Sequence, residues 1–138
     1  IDTETATAQR GRLSERGCEF SMVNPNRVGL QARYSWKAVA EREQGNDPLQ
    51  AIRKLDLASG ESRVCSAAPR GFVSEPVMVA NPGATAEDDG WVLCLVWNGA
   101  RCASDLVILD ASTLNEQAVF ELPLAIPHGL HGSWVQAS

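Results

Sequence analysis

Both histidines of this 138-residue chain stand near its end, in Ile126-Pro127-His128-Gly129-Leu130-His131-Gly132-Ser133-Trp134. A neutral imidazole nitrogen binds transition metals well. His131, bracketed by Gly129 and Gly132, is therefore a candidate metal ligand, with the glycines expected to supply tight backbone around it. The plainer reading is a structural histidine in a loop. Two acids bear on the choice: Glu19 and Glu75 precede His131 in successive steps of 56 residues. A carboxylate behind a metal-binding histidine accepts one ring N–H and fixes the tautomer that presents the other nitrogen. A second series runs beside the first, since Asp2, Asp56 and Asp110 are 54 residues apart. If the steps are not chance, Glu19, Glu75 and His131 occupy equivalent places in a repeated unit and converge on one axis.

The elements that would carry them read as strands. β-branched and aromatic runs alternate with turn signals. The expected strands are Thr5–Leu13, Ala32–Glu41, Leu49–Leu57, Ser62–Ala67, Pro76–Ala80, Trp91–Asn98, Asp105–Asp110, Ala118–Leu122 and Ser133–Gln136. Ala58-Ser59-Gly60-Glu61 reads as a hairpin turn, with Gly60 free to take positive φ. Val92–Val96 and Leu106–Leu109 are apolar on both faces, as in stacked sheets. A period near 55 residues with about four strands in each is the pattern of a β-propeller blade. Glu87-Asp88-Asp89 reads as a solvated turn in which Asp88 or Asp89 caps loop backbone.

Composition sets bounds. The chain is 44% hydrophobic and 21% charged, with a formal net charge of −5 and no basic run. That is a globular composition and argues against nucleic-acid binding. Trp91–Trp97, the longest apolar run, is too short to span a bilayer. Cys18, Cys65, Cys94 and Cys102 form no C-x-x-C pair, and reduced thiols in a cytosol-like compartment are expected, with Cys94 acting as a small buried hydrophobe. No secretory leader is legible, and the opening at Ile1 reads as part of a longer or processed protein.

Several blocks, in order and spacing, resemble one family. They are Cys18-Glu19-Phe20, Ser74-Glu75-Pro76-Val77, Pro82 through Trp91 with its Glu87-Asp88-Asp89-Gly90, Ser104 through Ala111, and Gly129-Leu130-His131-Gly132-Ser133-Trp134. Together they are similar to the C-terminal third of the carotenoid cleavage oxygenases, a family that includes apocarotenoid oxygenases, lignostilbene dioxygenases and the retinal pigment epithelium isomerase. The resemblance covers nearly all of residues 1–138. It implies an all-β fold, part of a seven-bladed propeller, of which this chain is about two and a half C-terminal blades. It implies iron(II) on the axis, held by four histidines of which His131 is the last. Glu19 and Glu75 would be two of the glutamates behind those histidines. The remaining ligands would lie on upstream blades.

The implied activity is cleavage of a C=C bond of a carotenoid, apocarotenoid or stilbene by O₂, giving carbonyl products, with the isolated piece inactive. An apolar polyene or stilbene needs an apolar lining. Phe20 and Trp134 adjoin the metal positions and are the candidates, ordinary propeller core being the alternative. The other class of function is a non-catalytic propeller piece used for protein interaction. The resemblance implies a cytoplasmic or plastid location, no transmembrane segment, and peripheral membrane contact only through the longer protein. There are two departures from the family pattern. Ser21 stands where Pro is usual, which would loosen the strand presenting Glu19. His128 stands where an aromatic is usual, and three residues from His131 on extended chain it should face the other way.

Overall fold

Three aspartates set the frame. Asp2, Asp56 and Asp110 each donate a backbone N–H to the carbonyl five residues on, at Thr7, Glu61 and Asn115. Each also accepts turn N–H groups on its Oδ1: Glu4 and Thr5, Ala58 and Ser59, and Thr113. The residue four places on has positive φ in all three: Ala6 (52°), Gly60 (78°) and Leu114 (60°). The same turn thus recurs every 54 residues, and only Gly60 meets its left-handed position without steric cost.

A computed structural model describes residues 1–45, 47–69 and 71–135. In it the turns join antiparallel strands into two sheets. The first runs β1 (Cys18–Met22), β2 (Tyr34–Ala40), β3 (Leu49–Asp56) and β4 (Ser62–Ser66), in that order across the sheet. The second holds β5 (Gly71–Val73), β6 (Val77–Ala80), β7 (Gly90–Asn98), β8 (Ala103–Asp110) and β9 (Glu116–Glu121). β5 and β6 both pair with β7. They are one edge strand interrupted at Ser74–Pro76, where Pro76 has no N–H to give a ladder. Each sheet is therefore a four-strand blade, up and down across its width. The one helical turn among the described residues is a 3-10 turn at Pro25–Arg27. No helix there is long and apolar enough to cross a membrane.

The blades pack face to face. Trp36, Ala38 and Ile52 of the first meet Val73, Met78, Val92, Cys94 and Leu109 of the second, all nearly inaccessible. All four cysteines are free. Burial pushes the Cys94 thiol up to about 12, so it behaves as an apolar side chain. Gly90 opens β7 because nothing larger fits, since a Cβ there would meet the Val79 carbonyl oxygen at 2.2 Å.

Two expected strands are absent, and β1 and β5 went unread. Thr5–Leu13 forms no ladder, and its segment has one bridge, Asp2 to Thr7. The turn explains this. β4 and β9 begin six residues after Asp56 and Asp110. Ala8 stands six after Asp2, so residues 8–13 stand where β4 and β9 stand after their turns, but they have no ladder partner among the described residues. Ser133–Gln136 is not a strand over residues 133–135, where the chain is exposed, and Gln136 lies outside the described residues.

The acidic loop departs from a solvated turn. Glu87 reaches across to the first blade, accepting the backbone N–H groups of Arg33 and Tyr34, each at 2.8 Å. Its own carbonyl accepts from Asn24 at 2.7 Å. Asp88 pairs with Lys54, whose Nζ also donates to the Ser112 carbonyl at 2.9 Å and lies 4.1 Å from the centre of the Tyr34 ring. Trp36 Nε1 adds a bond to the Ala111 carbonyl at 3.0 Å. Asp89 stays within its own loop, but its carboxylate accepts from the Asn81 side-chain amide at 2.6 Å and not from the expected backbone N–H, and its carbonyl accepts the Asn81 N–H at 3.1 Å.

Two outcomes follow from these contacts. Lys54→Ala leaves the Asp88 carboxylate and the Ser112 carbonyl without their shared donor. It should destabilise by about 3 kcal/mol, measured by urea denaturation, whereas Arg12→Ala, which removes an exposed pair with Glu15, should change stability by less than about 0.5 kcal/mol. Asp56 is held down to about 2, first by the hydrogen bond from the Arg33 guanidinium. A depressed carboxylate stabilises the folded state above its unfolded value, 3.8, and loses that contribution as pH falls toward about 2. The urea-midpoint difference between wild type and Asp56→Asn should therefore be constant near neutrality and shrink across that interval. A difference that stays flat to pH 2 would contradict the Arg33 pairing.

Candidate functional site

The two edge strands β1 and β5–β6 are irregular at the same level. In β1, Glu19 lies opposite Ala38, and the register slips between Glu19 and Met22. Phe20, at the slip, has φ of 56°. Such a conformation costs a residue with a Cβ about 1–2 kcal/mol, and irregularities of this kind re-aim side chains. In the second blade the break at Ser74–Pro76 does the same for Glu75. Ser74 repairs the lost ladder: its N–H donates to the Leu95 carbonyl at 2.9 Å and its Oγ accepts the Leu95 N–H at 3.0 Å. Glu75 is thereby released from the sheet.

The chain after β9 brings the histidine to this point. Ser104, 1% exposed, takes the turning tail in hand. Its N–H donates to the Leu124 carbonyl at 3.1 Å and its Oγ accepts the Ile126 N–H at 2.9 Å. The tail then crosses from the outer to the inner edge of the blade. There Glu75 holds it with both oxygens. Oε1 lies 3.2 Å from His131 Nδ1, and Oε2 accepts the Gly132 N–H at 2.6 Å. The His131 ring stands edge-on to Phe20, with centroids 6.0 Å apart and planes at 89°.

This geometry has a chemical consequence. An ionised carboxylate only accepts, so opposite one a neutral imidazole carries its proton on Nδ1 and leaves the Nε2 lone pair free. Glu75 is mostly buried, its side chain 14% exposed, while His131 is 78% exposed. The carboxylate is therefore anchored and the ring it orients is accessible. Beside the pair lies a cavity of about 230 Å³, walled by Leu93, Leu95, Leu106, Leu130 and Trp134. A second cavity, of about 250 Å³, is lined by Phe20, Leu49, Phe72 and His128. His128 and His131 thus border different spaces, in keeping with their spacing on extended chain.

Of the residues singled out in the sequence, Glu75, His131 and Phe20 are brought together from both blades. Trp134 joins His131 at the wall of the same cavity and is half exposed. Glu19 is at the equivalent level of the neighbouring edge strand and exposed, and the carboxylate paired with His131 is that of Glu75. Gly129 and Gly132 are not the tight backbone expected. Neither has positive φ, a Cβ on Gly129 would meet nothing within 4 Å, and one on Gly132 would make ordinary contact with Val77 at 3.7 Å. Ser74 and Ser104 were missed as positioning residues. Their signal was adjacency, Ser74 to Glu75 and Ser104 to the start of the long strand β8. No group of three or more His, Cys, Asp or Glu among the described residues could hold a metal ion by itself.

Two stacked four-strand blades whose inner edges bring a carboxylate and an imidazole together beside an apolar cavity define part of a β-propeller. The comparisons agree. Residues 1–136 match the family model described as retinal pigment epithelial membrane protein, and the chain belongs to that family of carotenoid cleavage oxygenases. It is 46% identical to the apocarotenoid-15,15'-oxygenase of Synechocystis sp. over 99% of this chain and 28% of that protein. It is 31% identical to lignostilbene-alpha,beta-dioxygenase isozyme III of Sphingomonas paucimobilis, covering 87% of this chain and 27% of that one. A crystal structure of cobalt-substituted Synechocystis ACO superimposes with a TM-score of 0.96 at 45% identity, covering 99% of this chain and 29% of that one. The chain thus spans less than a third of the length of these relatives.

Proposed function

We propose that this chain is the C-terminal part of a non-haem iron(II) oxygenase that cleaves a C=C bond of an apolar polyene or stilbene with O₂ to give carbonyl products. The observation that carries the reading is the two-point hold of Glu75 on His131 Nδ1 and Gly132 N. A loop histidine with no chemical task does not need its tautomer fixed, its ring braced by an aromatic edge and its free nitrogen turned outward. The relatives are by name apocarotenoid, carotenoid and lignostilbene oxygenases, and one was solved with cobalt in place of its metal.

The residues fit one position of such a centre. His131 would hold the iron through Nε2, and Glu75 would orient the ring by accepting from Nδ1. Glu19, at the matching level of the adjacent edge, would serve a histidine supplied by another blade. When bound, the iron supplies activation of O₂. Everything else falls to the chain's own side chains. Phe20 braces the imidazole edge-on. Leu93, Leu95, Leu106 and Trp134 exclude water from the adjoining cavity and accept an apolar chain. The remaining ligands and most of the substrate path belong to the rest of the longer protein.

In that longer protein, His131→Ala should abolish cleavage and lower iron content as read by elemental analysis. Glu75→Gln should retain iron and lose roughly 10–100-fold in affinity or activity. Full iron occupancy and normal turnover in the His131 variant would refute the ligand role. The 138-residue chain by itself should show no oxygenase activity. It should also self-associate, because Leu93, Leu95, Leu106 and Ile108 form a partly exposed apolar face on the second blade. A monomer by light scattering that binds iron one to one would overturn both expectations.

A further inference from the structure

Met22 and Met78, the two methionines of the chain, stand 56 residues apart, the spacing of Glu19 and Glu75. Each follows its glutamate by three residues on an edge strand, Met22 at the end of β1 and Met78 within β6. The repeat thus sets them at one height on neighbouring inner edges, and there they meet. β6 has a strand partner on one side, β7. On its other side the Met78 N–H donates to Met22 Sδ at 3.0 Å. Among the described residues this is the one hydrogen bond from β1 to the second blade. A thioether is a weak acceptor, so the link is easily lost.

The two sulfurs differ in access. Met78 is 2% exposed and packs in the core with Val92 and Leu109. Met22 is half-buried. One side of it packs against that core. It also lines a cavity of about 590 Å³, together with Pro25, Val28, Val77 and Trp134. Val77, Gly132, Ser133 and Trp134 line both this cavity and the one beside His131. A small polar oxidant entering this space therefore reaches the sulfur of Met22 and not that of Met78.

We propose that Met22 is a site of reversible oxidation by hydrogen peroxide, and that the oxidation unlinks the two inner edges. A lone pair of Sδ attacks one peroxide oxygen. The S–O bond forms as the O–O bond breaks. The proton of the transferred hydroxyl passes to the departing hydroxide, which leaves as water. Sulfur gives up two electrons and the peroxide takes them. The sulfoxide sulfur is positively polarised, so it no longer attracts the Met78 N–H. A gap of 3.0 Å has no room for the new oxygen between sulfur and nitrogen, so the side chain must swing away into the cavity. Methionine sulfoxide reductases return the thioether and with it the link. The inference rests on the packing of the two blades and uses nothing of the iron chemistry.

The test is made on the full-length protein treated with dilute hydrogen peroxide. Peptide mass spectrometry follows the gain of one oxygen at each methionine, and deuterium exchange follows the Met78 amide. Met22 should be oxidised at least about tenfold faster than Met78, as access dictates. The Met78 amide should then exchange faster, and methionine sulfoxide reductase should restore its protection. In Met22→Leu, which has no acceptor, that amide should exchange fast from the start and be indifferent to peroxide. Equal oxidation of the two methionines would overturn the proposal. So would oxidation of Met22 that leaves the Met78 amide unchanged, or a peroxide effect on that amide that persists in Met22→Leu. No activity or iron content is measured, so failure here leaves the oxygenase reading standing, and loss of that reading leaves this one.

Discussion

The site exists because two blades are held in fixed relation, and the carboxylates of Glu87 and Asp88 do the holding. Phe20 belongs to the first blade, whereas Glu75 and His131 belong to the second. An edge-on contact at 6.0 Å tolerates little sliding of one sheet over the other. Apolar packing of Trp36 and Ile52 against Val92 and Leu109 resists separation but is nondirectional. The polar bonds supply direction. Glu87 accepts two consecutive backbone N–H groups at the start of β2, and Lys54 is pinned between Asp88 and the Ser112 carbonyl. These groups are largely withdrawn from water, where such bonds are strong and their loss severe.

With the blades fixed, function depends on a controlled failure of the sheet. A regular β5–β6 strand would send Glu75 into the pleat and spend its neighbours' N–H groups on β7. Pro76 interrupts the ladder, Ser74 satisfies the orphaned Leu95 N–H, and Glu75 is turned toward the tail. β1 fails at the equivalent level through a positive φ at Phe20. The strain in one blade and the missing donor in the other are different solutions to one geometric demand, a side chain leaving the inner edge at that height. The 56-residue spacing records that demand, because selection acts on the height of the residue along the blade.

The sequence disclosed what is periodic and concealed what depends on neighbours. The aspartate series could be read because a turn is local: its Oδ1, its backbone bonds and its left-handed residue all lie within six positions. The pairing of Glu75 with His131 followed from the same arithmetic. Thr5–Leu13 has the pattern of a strand but not its partner, and a strand without a ladder does not form. Ser133–Gln136 carried a pattern too short to outweigh an exposed tail. β1 and β5 were missed because their irregularities, at Phe20 and before Pro76, disrupt the alternation that marks a strand. Glu87 and Asp88 looked solvated because their partners, at Arg33, Tyr34 and Lys54, are remote in sequence. Gly129 and Gly132 suggested strain at the histidine, yet the tail there is extended and Glu75 supplies the constraint.

The two outward faces of this pair of blades are chemically unlike. One carries Lys37 and Arg53 among the buried Val39, Ala51 and Leu55, the other Leu93, Leu95, Leu106 and Ile108. Stacking the apolar face of one copy on the cationic face of another would bury an ammonium and a guanidinium against leucines with no counter-charge, at a cost that packing does not recover. Head-to-tail stacking of like units is thus disfavoured, even though repeated blades share a backbone shape that would allow it. A repeat architecture needs such a device, because identical interfaces would let blades pair out of order. Changing the chemistry from one interface to the next gives each blade a distinct neighbour.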